Sequence, residues 1–293
     1  MSQPLISGFM IVRNVAVQGY PFIEAIRSAL PLCDEFLVSD GGSTDETWRA
    51  LEILRDRYPG RITLFRDPWP PGSNRGGTLA QMTNILRARC GGRYIFNLQA
   101  NEILHESSVE TIRGLVDRWP AAVLFRLPFH NLIGDHILWM TDYRRRLAVN
   151  RQDILSLADA YDLGPDSSWA QRLRRIFKRQ TLSTQSAWLP EPVYRYRVLF
   201  PTDYIRRLEA VTPSSRKWAS ELDFARKVYA RFNPNVDASG EFWRQMSEYF
   251  DGPILPSGFP RRCAGEIAGA PAIAEPLFGK WSYPLEESLA RAV

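Results

Sequence analysis

The chain has 293 residues, of which 45% are hydrophobic and 24% charged, and its formal net charge is +5. These proportions are typical of a soluble globular protein with one large domain, or with one domain and an appendage. The pI of about 9.2 suits an anionic ligand such as a nucleotide diphosphate, or an acidic membrane surface. The positive excess is too small to indicate a nucleic-acid-binding protein, which usually carries a dense basic stripe.

Cysteine usage and hydropathy indicate the compartment. The cysteines Cys33, Cys90 and Cys263 are widely spaced, which argues against a disulfide framework or a zinc site and fits a reducing compartment. The N-terminus lacks the charged start and long apolar core of a signal peptide. The sequence contains no stretch of about 18 apolar residues, so we expect no transmembrane span. We therefore expect a cytoplasmic protein.

Strand and helix patterns alternate along the first 119 residues. An apolar, β-prone run predicts each strand, and a helical stripe follows it. This alternation predicts an α/β fold with a mainly parallel sheet covered by helices. The predicted strands are 6–12, 35–39, 61–65, 94–98, 121–129, 137–140 and 146–149, and the helices before residue 120 begin near residues 22, 47, 78 and 109.

Polar residues stand at the ends of two of these strands. Asp40 follows the second strand, where a carboxylate can accept hydrogen bonds from a base N–H or from ribose hydroxyls. Ser43 and Glu46 have the spacing of a capping box at the start of the next helix. The strand 94–98 is followed, directly before a helix, by Gln99-Ala100-Asn101-Glu102, which we call the tetrad. Ligands in open α/β sheets bind at such places. We therefore expect the active centre at this tetrad.

Two common nucleotide-binding motifs are absent. The chain has neither the GxxxxGK[ST] sequence of a P-loop nor a GxGxxG sequence after the first strand, so a dinucleotide fold is disfavoured. The glycine-rich segment 72–77 precedes a helix and can approach a phosphate, with Arg75 beside it. A flexible surface loop explains the same composition.

Three motifs in order resemble glycosyltransferase family 2: Arg13-Asn14 after the first strand, Asp40–Thr47 after the second, and the tetrad 99–102. The resemblance covers residues 6–119. It implies the GT-A fold, a nucleotide-sugar-binding α/β sandwich, and an inverting transfer of a sugar from a nucleoside-diphosphate sugar to an acceptor hydroxyl. The residues that it implies for donor binding are Arg13, Asn14, Asp40, Asn84, Gln99 and Asn101, and Arg75 of the glycine-rich segment is added to them as a candidate phosphate ligand.

The chain divides accordingly into a glycosyltransferase domain at 1–212 and a C-terminal extension at 213–293. Within the domain, residues 1–119 are expected to form the nucleotide-sugar half and residues 120–212 the acceptor half. Amphipathic patterns followed by a Pro-, Gly- and Ala-rich stretch predict that the extension is helical and irregular.

The tetrad departs from the family pattern. The family usually has Asp-x-Asp here, where the acids meet the donor and a divalent metal, whereas this chain has Gln99 and Asn101. Mg²⁺ and Mn²⁺ prefer carboxylate oxygens, so Glu102 is the remaining candidate metal ligand, with His105 one turn further on. Three alternatives stay open: a metal held through Glu102 and the donor diphosphate, a metal-independent enzyme in which Arg or Lys neutralises the leaving diphosphate, and a non-catalytic binder of nucleotide sugars. A nucleotidyltransferase is disfavoured, because residues 13–19 supply no glycine-rich, basic loop.

The resemblance implies a general base in the second half of the chain, because an inverting transferase must deprotonate its acceptor. Asp159 is the first candidate, Glu191 the second and Asp135 the third. Basic residues at 144–146 and between 172 and 179 can hold a pyrophosphate or an acidic lipid headgroup. A glycan, a lipid-linked molecule and a protein all stay open as acceptor, as does peripheral contact with the inner face of a membrane.

Overall fold

The computed structural model describes residues 5–16, 20–70, 76–133, 137–157, 160–166, 168 and 182–198. Arg75, Asp135, Asp159, the basic residues at 172–179 and the extension at 213–293 lie outside them. The helices of the described part are α1 (Phe22–Ala29), α2 (Thr47–Arg57), α3 (Gly76–Arg87) and α4 (Val109–Arg118). Its strands are β1 (Ile6–Val12), β2 (Glu35–Asp40), β3 (Ile62–Arg66), β4 (Tyr94–Asn97), β5 (Glu102–Ile103), β6 (Leu124–Ile133), β7 (Ile137–Val149), β8 (Ile154–Leu157), β9 (Asp162–Pro165), β10 (Thr184–Ser186) and β11 (Val193–Val198).

Four parallel strands form the first half of the main sheet, in the order β3-β2-β1-β4. The chain starts in the middle at β1, moves outward through β2 and β3, and returns to the other side of β1 with β4. The strand order therefore reverses between β1 and β4, and ligands in open α/β sheets bind in the crevice at such a reversal. The segments that follow β1 and β4 flank this crevice.

The sheet continues past β4 through β7, β6, β11 and β5, with β10 beside β6. Because β7 is antiparallel to both β4 and β6, the two predicted halves of the domain share one sheet. Residues 137–149 form one strand in place of the two predicted ones, since the polar residues 141–145 stay paired with β6. The sequence did not predict β5, because this two-residue strand depends on its pairing with the distant β11.

Helices pack on the parallel half of the sheet as their periodicity predicts. Every residue of α1 is buried, and α4 buries Val109, Ile112, Leu115 and Val116 along one face. Each such aliphatic or aromatic side chain contributes about 1.5–3 kcal/mol when it is fully buried. No helix in the described part of the chain has the length and apolar character needed to cross a membrane.

The start of α2 differs from the sequence prediction. The helix begins at Thr47, with Glu46 and not Ser43 before it, and Glu46 makes no capping side-chain hydrogen bond, so the predicted capping box is wrong. The Ser43 hydroxyl accepts from the N–H of Asn14 instead (2.8 Å), and the N–H of Ser43 donates to the Asp40 carboxylate (3.1 Å). The N–H of Thr47 bonds to the Asp45 carboxylate (3.0 Å), which satisfies one donor of the first turn.

Candidate active site at the strand ends

The side chain of Asn14 joins the segment after β1 to the turn after β2. Asn14 has a left-handed backbone (φ +51°), which asparagine adopts more readily than most residues. Its backbone N–H donates to the Ser43 hydroxyl (2.8 Å), and its side-chain oxygen accepts from the N–H of Thr44 (2.8 Å). The Arg13-Asn14 motif and the Asp40–Thr47 motif therefore form one connected unit.

Asp40 ends β2 and is fully buried. Its carboxylate accepts hydrogen bonds from the backbone N–H of Ser43, at 3.1 Å to each oxygen, and from the Ser43 hydroxyl. The guanidinium of Arg66 lies 3.5 Å away. Asp40 therefore orders the turn that holds Asn14, and its contact with a nucleoside stays a prediction.

Trp69, in the loop after β3, packs on the same turn. A Cβ added at Gly41 would come within 2.3 Å of its indole nitrogen, so glycine is required where the two meet. The guanidinium carbon of Arg13 lies 5.6 Å from the centre of the indole ring, within the range of a cation–π contact. The indole N–H is buried and has no hydrogen-bond partner among the described residues.

Gln99 reaches from the end of β4 to the segment between β8 and β9. Its side-chain N–H donates to the carbonyl of Ala160 (3.2 Å), which also accepts from Asn97 (3.4 Å) and Arg146 (3.3 Å). Ala160 has φ +65°, a left-handed backbone conformation that is energetically unfavourable for a residue with a Cβ atom. These three bonds bring Ala160, which follows Asp159 in the chain, to the end of β4.

Glu102 forms an ion pair with Arg146, and neither side chain has exposed surface. One carboxylate oxygen of Glu102, Oε1, pairs with Arg146, and Nε of Arg195 lies 3.7 Å from the same oxygen. The other oxygen, Oε2, accepts from the N–H of Gln99 (2.9 Å). Arg146 has no directly paired residue in β6, because the register of β6 and β7 shifts at this point. Such a bulge re-aims a side chain, here toward the tetrad.

Three arginines surround the ring of Tyr161, and we call these four side chains the arginine cluster. The guanidinium carbons of Arg144, Arg195 and Arg146 lie 3.9, 4.2 and 5.3 Å from the ring centre. Those distances fall within the range of cation–π attraction. The Tyr161 hydroxyl donates to Asn131 (3.1 Å), and burial raises its pKa, so the phenol stays neutral near pH 7.

The third basic residue of this stretch, Arg145, lies apart from the cluster. Its guanidinium pairs with Asp162 at 3.0 Å, and its backbone N–H donates to the same carboxylate (2.7 Å). The sequence suggests that the segment 144–146 acts as one basic group, but in the structure it does not. Arg145 fastens β7 to β9, whereas its two neighbours face Tyr161.

The described residues do not fit a divalent metal ion at the tetrad. Both carboxylate oxygens of Glu102 are bound inside the protein, and one of them by the cation of Arg146. His105, expected to assist, instead makes a contact with Ser107 through Nδ1 (2.8 Å). Within the described residues, no group of three or more His, Cys, Asp or Glu side chains is placed to hold a metal. The predicted metal role of Glu102 is therefore not supported.

Two other predicted site residues have different partners. Asn84 exchanges two hydrogen bonds with the backbone of Ser156 (2.7 and 3.0 Å), so its amide fastens β8 to α3. Glu191 accepts a hydrogen bond from the Tyr194 hydroxyl (2.5 Å). Tyr194 and Arg195 are neighbours in β11 and leave opposite faces of the sheet, which separates Glu191 from the arginine cluster. These contacts support neither donor binding by Asn84 nor a base role for Glu191.

Sequence reasoning missed Trp69, Tyr161 and Arg195. The basic run 144–146 was a usable signal, because it contains the two arginines, Arg144 and Arg146, that lie over the ring of Tyr161. No local pattern marks the other side chains. Trp69 reaches the site through the loop after β3, and Arg195 through the pairing of β11 with β5 and β6. Tyr161 directly precedes β9, which pairs with β8.

No protein-family model and no curated protein sequence matches the chain. Three glycosyltransferases are among the solved structures that align with it. S. aureus TarS (residues 1–349), solved with UDP-GlcNAc, is 11% identical over 84% of this chain and 81% of its own, with a TM-score of 0.42. The mannosyltransferase PcManGT from Pyrobaculum calidifontis, solved with GDP-Man and Mn²⁺, is 11% identical over 85% and 84%, with a TM-score of 0.40. Glucosyl-3-phosphoglycerate synthase from Mycobacterium tuberculosis is 16% identical over 63% and 70%, with a TM-score of 0.33.

Proposed function

We propose that this chain transfers a sugar from a nucleoside-diphosphate sugar to an acceptor hydroxyl, with inversion at the anomeric carbon. The observation that carries the proposal is the reversal of strand order between β1 and β4. The pair Arg13-Asn14, the turn after Asp40 and the tetrad 99–102 follow β1, β2 and β4, which are neighbours. Parallel strands bring their carboxyl ends to one edge, so these polar segments border a single crevice.

The proposed donor site has two parts. Asn14 and Asp40 order the turn after β2, and the indole ring of Trp69 packs beside this turn. This arrangement suits a planar base with its ribose. At the end of β4, Gln99 and Asn101 carry amides, which can donate to and accept from the hydroxyls of a sugar. Arg75, outside the described residues, is retained in the proposal as a phosphate ligand.

Asp159 is the general base in this proposal. The residue that follows it, Ala160, contacts Gln99 through its carbonyl (3.2 Å), so the chain next to Asp159 adjoins the proposed sugar site. Asp135, the third candidate from the sequence, is retained as the alternative base. The proposed base, a carboxylate beside the sugar site, would accept the proton of the acceptor hydroxyl as the glycosidic bond forms.

A non-catalytic nucleotide-sugar binder is the second candidate function. It is favoured by one observation: the only acid of the tetrad, Glu102, is occupied by a buried ion pair. A binder and an enzyme share the donor site but differ in turnover. Release of nucleoside diphosphate from the bound donor, with and without acceptor, separates them.

The test is calorimetric titration of the full chain with UDP, GDP, ADP, CDP and dTDP and with their sugars. We expect saturable binding of one base, lost in Asp40→Ala and retained in Asp56→Ala, whose side chain is 69% exposed. Because Asp40 also orders its turn, Arg13→Gln is a second variant, which replaces a partly exposed guanidinium by a neutral amide without opening the core. Absence of binding to every nucleotide contradicts the proposal.

A further inference from the structure

We infer that the arginine cluster binds the diphosphate of the donor and neutralises it as it leaves, in the role that a divalent metal fills elsewhere. The inference rests on the proposed function and names the groups that carry out one part of it. Arg195 and Arg144 are the ligands, while Arg146 and Tyr161 hold them in place. The charges, the unused hydrogen-bond donors and the position of the cluster each support this.

One positive charge in the cluster is not balanced. Arg146 pairs with Glu102, and Arg144 pairs with Asp142 at 2.6 Å. In the described part of the chain, the carboxylate oxygen paired with Arg195 is the Glu102 oxygen that Arg146 already holds, at 3.7 Å. Within the described residues, three guanidinium groups therefore face two carboxylates, and Arg195 carries the charge in excess.

The cluster also keeps hydrogen-bond donors that the described residues do not use. The Nε atoms of Arg146 and Arg195 are buried and have no acceptor in the described part of the chain. Buried donors in native proteins are nearly always paired. The Arg146 side chain is fully buried, so its Nε is not placed to meet a ligand, whereas Arg195 is partly exposed and its Nε can gain an acceptor from outside. An oxyanion at Arg195 would satisfy the excess charge and this unused donor together.

Two of the three guanidinium groups are accessible to a ligand. The side chains of Arg195 and Arg144 are 18% and 28% exposed, whereas that of Arg146 is fully buried. Arg195 donates to the side-chain oxygen of Gln99 (3.3 Å) and lies over Tyr161, so its orientation is fixed before a ligand binds. A planar guanidinium held in this way can give two parallel hydrogen bonds to a phosphate.

The cluster lies at the crevice and not elsewhere on the sheet. Gln99 is the first residue of the tetrad after β4, and it contacts both Arg195 and Ala160. Arg195 pairs in register with Glu102, which ties β11 to the same tetrad. The positive charge is therefore next to the segment proposed to hold the sugar, where a leaving diphosphate would be released.

In the transfer step, the acceptor oxygen bonds to the anomeric carbon while the bond from that carbon to the diphosphate oxygen breaks. The electron pair of the broken bond stays with the nucleoside diphosphate. Fixed positive charges at Arg195 and Arg144 stabilise the negative charge that develops there. The proton of the acceptor hydroxyl passes to a carboxylate base, for which Asp159 is proposed.

The test compares three variants in calorimetric titration of the full chain: Arg195→Gln, Arg144→Gln and Arg145→Gln. The third is a matched control, since Arg145 is in the same strand as Arg144, is also 28% exposed and also pairs with an aspartate, but lies apart from the cluster. Each variant is titrated with the nucleoside diphosphate that binds best and with the corresponding nucleoside. Each titration is run in EDTA and in Mn²⁺.

We expect diphosphate binding that EDTA does not weaken, and a loss of about tenfold or more in affinity in Arg195→Gln and Arg144→Gln. Nucleoside binding should stay unchanged in both, which also shows that they fold, and Arg145→Gln should bind as the wild type does. Binding that EDTA abolishes, or equal affinities in all three variants, overturns the inference and leaves the proposed function intact. Failure of every nucleotide to bind overturns both.

Discussion

Glu102 and Arg146 form an ion pair in which neither side chain has any exposed surface. The pair joins the tetrad after β4 to the bulge in β7, so it links the parallel half of the sheet to the antiparallel half. A buried pair gains little net free energy, because both groups lose their hydration. Removal of one partner is different, since it leaves the other charge buried and unpaired.

Glu102→Gln should therefore lower the free energy of unfolding by about 3–5 kcal/mol. Urea denaturation measures this change. Glu110→Gln is the control: this acid is exposed in the first turn of α4, where it only complements the helix dipole. Its loss should cost no more than about 1 kcal/mol. Equal costs in the two variants would show that the buried pair does not form.

Acid sensitivity is expected to depend on Asp67. Its carboxylate accepts two hydrogen bonds from Arg89 (2.6 and 2.9 Å) and one from the Ser39 hydroxyl (2.7 Å). The bonds from Arg89 hold the pKa of Asp67 below its ordinary value of 3.8. Because the pKa is lower in the folded than in the unfolded chain, this stabilisation is complete above the unfolded value and is lost as the pH falls through the folded one.

Asp67→Asn should therefore flatten the fall in unfolding free energy below about pH 5, as measured by urea denaturation at a series of pH values. Arg89→Gln should flatten the same slope, since it removes the group that lowers the pKa. If both variants keep the wild-type slope, another group causes the acid sensitivity.

Gly8 in β1 and Gly114 in α4 should respond oppositely to alanine. A Cβ at Gly8 would lie 2.3 Å from the buried ring of Phe36 and 2.7 Å from Sγ of Cys33, whereas a Cβ at Gly114 meets nothing within 4 Å. Gly8→Ala should cost about 1–3 kcal/mol by overpacking, and Gly114→Ala should gain about 0.4–1 kcal/mol because it stiffens the unfolded chain. Urea denaturation of both variants checks the sign, and a stabilised Gly8→Ala would refute the packing.

Ala160 should tolerate glycine and reject valine. Its φ of +65° costs an L-residue about 1–2 kcal/mol, and a branched Cβ raises that cost. Glycine relieves the strain but loses more entropy on folding, so Ala160→Gly should stay within about 1 kcal/mol of the wild type. Ala160→Val should unfold at lower urea concentration. Equal stability of the valine and glycine variants would exclude the left-handed conformation.

The parallel half of the fold is predictable because its signals are local. The apolar run at 6–12 matches β1 at both ends, and the stripe of Val109, Ile112, Leu115 and Val116 matches the buried face of α4. Helical and strand periodicities arise from the backbone geometry of neighbouring residues, so they can be read without knowledge of the fold. The length of β7 was not predicted, because pairing with β6 carries the strand through polar residues.

The sequence by itself determined that polar segments follow β1, β2 and β4 and that Gln99 and Asn101 stand where acids are usual in the family that it resembles. It did not determine what Glu102 does. That depended on Arg146, 44 residues further on, and on the bulge that turns Arg146 toward the tetrad. Only the tertiary structure decides such pairs, because the charges and unused donors that define a buried site come from strands that meet through non-local backbone pairing, which no local pattern records.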